Sequence, residues 1–249
     1  MRRLDELIAA LTLLTRLPVS GLVGSREWPD AASSVWAYPI VGALVGGVGG
    51  IVLWIAERSG LSSAIAAILA LAAMLLLTGG LHEDGLADTA DAFGGGSTAA
   101  RKLEIMRDSR IGSYGALALI VALGLRGAAL ASLPPEVGMA ALIAAGSLGR
   151  GAILVVLMSL SPARADSSAA PLRQVRFHVA GIGLLLAVAV SRLLSFHAAL
   201  TCIFGAAVAG LSMAAFARRQ VGGYTGDVLG AVAVFAECVA LVIVAGVCS

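Results

Sequence analysis

The stretch Val228-Leu229-Gly230-Ala231-Val232-Ala233-Val234-Phe235-Ala236-Glu237-Cys238-Val239-Ala240-Leu241-Val242-Ile243-Val244-Ala245-Gly246-Val247 decides the fold. It runs for about 20 residues, the length a helix needs to cross the hydrocarbon of a bilayer, and Glu237 is its one acidic or basic residue. Six further segments share this character, at 36–56, 63–81, 113–132, 138–160, 178–195 and 198–217. The whole chain agrees with them. Of its 249 residues 59% are hydrophobic and 13% charged, against about 25% charged in an ordinary soluble domain, and the mean hydropathy is +0.96. These values exclude a disordered chain, a nucleic-acid-binding protein and an ordinary cytosolic enzyme. Aromatic residues make up 5%, whereas glycines number 31, and small residues let membrane helices approach closely. The chain reads as an all-α polytopic membrane protein with about seven transmembrane helices, preceded by an amphipathic or re-entrant helix over residues 4–17 that is too short to span. That first helix does not read as a cleaved signal, because Asp5 and Glu6 follow Arg2 and Arg3 at once and no small-residue cleavage site closes the apolar run.

Two polar segments interrupt the apolar pattern, at 82–112 and 161–177. The domain reading is one integral-membrane unit over 1–249, with a cytoplasmic catalytic insertion at about 82–112. Thirteen of the seventeen basic residues fall on one side of the seven-span arrangement: Arg2, Arg3, Arg16 and Arg26; Arg101, Lys102, Arg107 and Arg110; Arg164, Arg173 and Arg176; Arg218 and Arg219. Basic loops stay in the cytoplasm, so the N-terminus is expected inside and the C-terminus outside. Cys202, Cys238 and Cys248 form no CxxC pair and indicate neither a zinc site nor a disulfide framework.

The acidic residues crowd into Gly79-Gly80-Leu81-His82-Glu83-Asp84-Gly85-Leu86-Ala87-Asp88-Thr89-Ala90-Asp91. Asp84, Asp88 and Asp91 stand at i, i+4 and i+7, on one face of a helix. Like charges so placed repel, and a cation repairs the repulsion. Mg²⁺ takes hard oxygen ligands and is commonly shared with substrate phosphates. The cluster begins where a span ends, so it reads as a Mg²⁺–diphosphate site at the membrane boundary, set against the plain alternative of a solvated acidic loop. In Arg107-Asp108-Ser109-Arg110 the two arginines suit a grip on phosphate oxygens, and Asp108 is either a fourth metal ligand or a general base. In Gly222-Gly223-Tyr224-Thr225-Gly226-Asp227, Asp227 is either the cap of the last span or a substrate contact, with Gly226 beside it. Arg126, Arg150 and Glu237 lie within apolar segments, where charge is costly; Arg150 either reaches a phosphate or pairs with Glu237. His82 touches the acidic cluster and is a candidate for substrate contact. His178 and His197 read as interfacial. Arg16 lies near the site and otherwise serves as a positive-inside anchor.

Leu14-Thr15-Arg16-Leu17-Pro18-Val19, Gly80–Asp91, Ile105–Gly112 and Gly223–Gly230 together resemble, in order and over essentially the whole chain, the signature segments of the cobalamin synthase (adenosylcobinamide-GDP ribazoletransferase) family. The acidic motif is the most specific part, and Ala92-Phe93 after Asp91 departs mildly from the expected glycine. The resemblance implies transfer of the cobinamide-phosphate group of adenosylcobinamide-GDP to α-ribazole or its 5'-phosphate with release of GMP, a late step of cobalamin synthesis. It implies an Mg²⁺-dependent enzyme of the bacterial inner membrane, embedded in the lipid bilayer, and the basic loops put its active-site loops in the cytoplasm; a homo-oligomer and an association with other late enzymes of that pathway are both left open. Such a transfer needs charge neutralisation and alignment. On this reading Asp84, Asp88 and Asp91 hold Mg²⁺ across the diphosphate, and Arg107 and Arg110 stabilise charge on the departing GMP. Asp108 or one acid of the triplet accepts the ribose proton. Arg16, His82, Arg150, Gly226 and Asp227 contact substrate. Two rival readings stand beside it. A CDP-alcohol phosphotransferase shares Asp84-Gly85-Leu86-Ala87, but its pattern continues with an Arg and a distant Asp pair that this chain lacks. A transporter would place its acids near the bilayer midplane.

Overall fold

The computed structural model describes residues 2–23, 27–164 and 169–248; Arg26 of the basic N-terminal segment lies outside them. Among the described residues eleven α-helices follow one another: α1 (Arg2–Leu14), α2 (Ala31–Ser34), α3 (Tyr38–Arg58), α4 (Ser63–Thr78), α5 (Leu81–Gly95), α6 (Ala99–Ile105), α7 (Ser113–Ala131), α8 (Pro135–Ser159), α9 (Phe177–Ser191), α10 (Phe196–Val221) and α11 (Gly226–Cys248). No strand forms among the described residues; a single isolated bridge joins Pro162 to Tyr224. Each of the seven apolar segments is helical. Five are long and apolar enough to cross a membrane: Ala31–Arg58, α7, α8, α10 and α11. The other two differ from a simple span. Helix α9 has 15 residues. Helix α4 ends at Thr78 and is bent by 91° from α5, so the two form either a broken span or a re-entrant pair.

The bend comes from Gly79-Gly80. Both adopt left-handed backbone, with φ of 69° and 70°, a region that costs residues with a Cβ but not glycine. The Gly80 amide turns back to the Leu75 carbonyl at 3.1 Å and closes α4. Helix α5, polar in sequence, therefore does not trail over the surface but packs against α7 and α11, burying His82, Gly85, Ala87, Thr89 and Ala92.

Helix α8 is the centre of the bundle, buried along most of its length and packed on α3, α9, α10 and α11. Gly42 and Gly46 of α3 lie directly on the Gly146 and Leu142 carbonyls of α8, the close contact that small residues permit. Helix α1 is amphipathic as expected. It buries Ile8, Ala9, Ala10 and Leu14 and leaves Arg2, Arg3 and Leu13 exposed. Its Glu6 carboxylate takes the Arg3 guanidinium at 3.0 Å and the Trp36 indole N–H at 2.7 Å, tying α1 to the chain leading into α3.

The basic segments meet at one end of the bundle. The Arg164 guanidinium donates to the Leu103 carbonyl at 3.2 Å. Lys102 on α6 bonds Gln220 on α10. The Ala163 amide donates to the Tyr224 carbonyl at 2.8 Å. The opposite end holds the pair Arg58–Glu136, at 3.2 Å.

Candidate active site

Helix α5 presents its acidic face to two cavities that share a wall. The first, about 580 Å³, opens between the end of α1, the Gly79-Gly80 bend and the loop before α7; Thr15, Arg16, Glu83, Asp84, Asp88 and Ser109 border it. The second, about 270 Å³, lies between α1, α3, α5, α8 and α11; Tyr38, His82, Asp84, Gly226 and Asp227 border it, with Leu13, Leu14, Ile153 and Leu172. Leu13, Leu81 and Asp84 belong to both walls. Asp84 thus stands where the two cavities meet. The closeness of α5 to α11 depends on Gly85: a Cβ there would stand 2.7 Å from the Asp227 carbonyl oxygen.

The charge at this junction is unbalanced. Asp84, Asp227 and Asp91 all act on the Asp88 carboxylate, and Asp84 acts on Asp227, where the Arg164 guanidinium opposes it. Arg16 is the one Lys or Arg among the described residues bordering either cavity. Its backbone amide donates to the Leu77 carbonyl at 2.7 Å, and its side chain lies over Gly79. Carboxylates collected with so little opposing charge suit a hard cation held by one or two of them and completed by substrate phosphates. Among the described residues no group of three His, Cys, Asp or Glu is arranged as a metal cage. Asp84 and Asp88, both in the wall of the larger cavity, are the residues that would hold a divalent cation beside substrate phosphates.

The third acid of the motif is engaged differently. Asp91 Oδ2 accepts the Gly112 amide at 2.7 Å and Oδ1 the Gly115 amide at 2.8 Å. It caps the first turn of α7 from another helix, where amides lack intrahelical partners, and it borders neither cavity.

Behind the acidic face lies a buried charge network. The Arg126 guanidinium on α7 donates to Glu83 at 2.9 Å and to Glu237 on α11 at 3.2 Å. Arg150 on α8 pairs with Glu237 and stands 3.3 Å from His82 Nδ1. Two arginines thus face two glutamates, with the His82 ring beside Arg150. Of the two roles open to Arg150, the structure has it paired with Glu237; it borders neither cavity.

The loop from Met106 to Gly112 contributes Ser109 and Ile111 to the first cavity. Arg107, Asp108 and Arg110 do not border it. Arg110 clasps Asp108 through Nη2 at 2.6 Å and Nε at 3.0 Å. That clasp, with the Arg110 amide, holds the Asp108 carboxyl down to about 2. At the start of α11 the cap is Thr225, whose hydroxyl oxygen accepts the Val228 amide at 3.2 Å. Asp227 is freed from that task and accepts a hydrogen bond from Thr225 at 3.2 Å.

Sequence reasoning missed Tyr38 and Ser109. A tyrosine opening an apolar run carries the signal of an interface anchor, and a serine between charged residues carries none. Glu83 was legible only as a member of the acidic run, with no sign that Arg126 is its partner.

The family model described as Cobalamin-5-phosphate synthase matches residues 6–245. An adenosylcobinamide-GDP ribazoletransferase of Bradyrhizobium diazoefficiens is 44% identical over 248 residues, covering 96% of this chain and 93% of the relative. Proteins of the same description from Mesorhizobium japonicum and Azorhizobium caulinodans are 42% and 44% identical, covering 98% and 93% of this chain and 93% and 91% of their own lengths. No solved structure matches the chain.

Proposed function

We infer the activity from kinship: the chain belongs to the cobalamin-5-phosphate synthase family, and it transfers the cobinamide-phosphate group of adenosylcobinamide-GDP to α-ribazole or α-ribazole 5'-phosphate, releasing GMP, a late step of cobalamin synthesis. We propose further that the two cavities at α5 are where this happens. The observation that carries the assignment is the position of Asp84, in the wall of both. A two-substrate transfer needs its nucleophile and its electrophile brought together at one point.

In this reading the diphosphate occupies the larger cavity, where Arg16 takes a phosphate oxygen as a forked donor and the Ser109 hydroxyl supplies a neutral one. Asp84 and Asp88 would hold Mg²⁺ there. When bound, the ion supplies neutralisation of the charge on the diphosphate and on the departing GMP. The smaller cavity receives α-ribazole, whose ribose hydroxyl attacks the phosphorus carrying cobinamide. Asp227 borders that cavity and accepts the hydroxyl proton, in preference to Asp108, whose carboxylate is clasped by Arg110 outside both cavities. Asp91 acts through α7, whose first turn it holds. Membership of a bacterial family and the gathering of the basic segments at the same end as the site support an inner-membrane location with this end in the cytoplasm.

The test uses purified protein in detergent with adenosylcobinamide-GDP, α-ribazole 5'-phosphate and Mg²⁺, following corrinoid and nucleotide by chromatography. Equimolar GMP and complete corrinoid, abolished by EDTA and restored by Mg²⁺, are the expected result. A folded protein that makes neither product overturns the reading.

A further inference from the structure

We propose that the smaller cavity is the pocket for the benzimidazole base of α-ribazole, and that the Tyr38 hydroxyl recognises the free ring nitrogen of that base. The inference rests on the transferase reading above and adds to it a residue that selects the base.

The chemistry of the ligand is simple. The base is a flat, apolar bicycle. One ring nitrogen carries the ribose; the other keeps a lone pair and accepts a hydrogen bond. A pocket for it needs apolar walls, one donor and, at the ribose end, acceptors for hydroxyl groups. The cavity has these parts. Its apolar wall comes from Leu13 and Leu14 of α1, Ile153 of α8, Leu229 of α11 and Leu172. Asp84 and Asp227 supply the acceptors, Asp84 from the wall shared with the diphosphate cavity. Tyr38 borders the smaller cavity with a hydroxyl that has no hydrogen-bond partner of its own among the described residues.

Tyr38 is the decisive residue. It opens α3, at the end of the bundle where the site lies. A tyrosine serving as an interface anchor keeps its hydroxyl in water. Tyr38 is instead 2% exposed, and its hydroxyl oxygen is buried with no hydrogen-bond partner among the described residues. A buried hydroxyl left unmatched is costly, and such groups in native proteins call for a partner. Of the two neighbouring cavities, Tyr38 borders only the smaller. A site built to bond a ligand atom also rejects the analogue lacking that atom, because its own polar group is then stranded. Tyr38 therefore distinguishes a base with a free ring nitrogen from a carbocyclic mimic.

The experiment compares wild type and Tyr38→Phe in steady-state kinetics, with α-ribazole and with the corresponding indole riboside, in which C–H replaces the free nitrogen. Wild type is expected to prefer α-ribazole in kcat/KM by about tenfold or more. Tyr38→Phe should raise KM for α-ribazole by about tenfold, leave KM for adenosylcobinamide-GDP unchanged and erase the preference. A folded Tyr38→Phe enzyme with wild-type KM and wild-type preference overturns the proposal. If that variant does not fold, Leu172→Trp fills the same cavity. It should raise KM for α-ribazole at least tenfold, and an unchanged KM in the folded protein overturns the proposal. Calorimetric titration of α-ribazole without the second substrate separates the two readings. Absence of turnover with binding that Tyr38→Phe weakens removes the transferase assignment and keeps the pocket; absence of binding to wild type removes the pocket.

Discussion

Arg126 on α7 donates to Glu83 on α5 at 2.9 Å, and the guanidinium that does so is 2% exposed. The pair joins the residue immediately before Asp84 to a helix from the other side of the site. With Arg150 and Glu237 it forms a neutral set of two cations and two anions, within which each charge is met.

Breaking that set leaves an uncompensated charge inside the bundle. Arg126→Met strands Glu83 and half of Glu237, and removing one partner of a buried pair costs about 3–5 kcal/mol. The variant should unfold at markedly lower temperature in detergent, read by circular dichroism. The double variant Arg126→Met/Glu83→Leu removes a charge of each sign and should recover part of the loss. A single variant as stable as wild type would show that the network is not held in the folded protein.

Asp88 and Asp91 share a helix face but should respond in opposite ways to substitution. Asp88→Asn relieves repulsion from Asp84 and Asp227 and leaves stability equal or higher, while turnover falls at least a hundredfold. Asp91→Ala removes two charge-assisted bonds to the α7 amides, each worth about 1.5–3 kcal/mol, so its main effect is a lower unfolding temperature. Melting curves and turnover measured on both proteins check the contrast; equal stability and equal inactivity would erase it.

The Gly79-Gly80 bend gives a graded pair. Either alanine must enter left-handed backbone, at about 1–2 kcal/mol. At Gly79 the new methyl also runs into the Arg16 side chain, whereas at Gly80 it meets open space. Gly80→Ala should lose stability and keep much of its activity. Gly79→Ala should lose more of both, since Arg16 must leave the cavity wall. Equal kcat/KM for the two would remove the role given to Arg16.

Asp108 yields a pH prediction. Its carboxyl, lowered by the Arg110 clasp to about 2, lies below its ordinary value near 3.9. A lowered folded-state value stabilises above the unfolded value and loses that effect as pH falls through the folded one. The clasp is therefore complete throughout pH 5–9 and fades only below about 4. A carboxylate so weakly basic is a poor proton acceptor. Asp108→Asn should lower activity by a roughly constant factor across pH 5–9 without moving the limbs of the rate profile. A shifted acidic limb would restore Asp108 as the base.

The sequence by itself determined the class of the molecule and the neighbourhood of its chemistry. Long apolar runs have few physical homes other than a bilayer, and their number and places survive as helices. The lopsided distribution of Lys and Arg marks the segments that meet at one end. Spacing of i, i+4 and i+7 places three carboxylates on one helix face, which is local geometry. What that face meets is not local. Only the packed chain sends Asp91 to the α7 amides and leaves Asp84 and Asp88 to a cavity, because the partner amides lie more than twenty residues away. Packing likewise chose Glu237 over a phosphate for Arg150, gave the helix cap to Thr225 rather than Asp227, and set Tyr38 in the wall of the smaller cavity. The span expected at 63–81 stops at Thr78 because two glycines in left-handed backbone turn the chain by 91°. Hydropathy registers how apolar a segment is; it does not register the dihedral angles at which the segment bends, and that bend carries the acidic helix into the site.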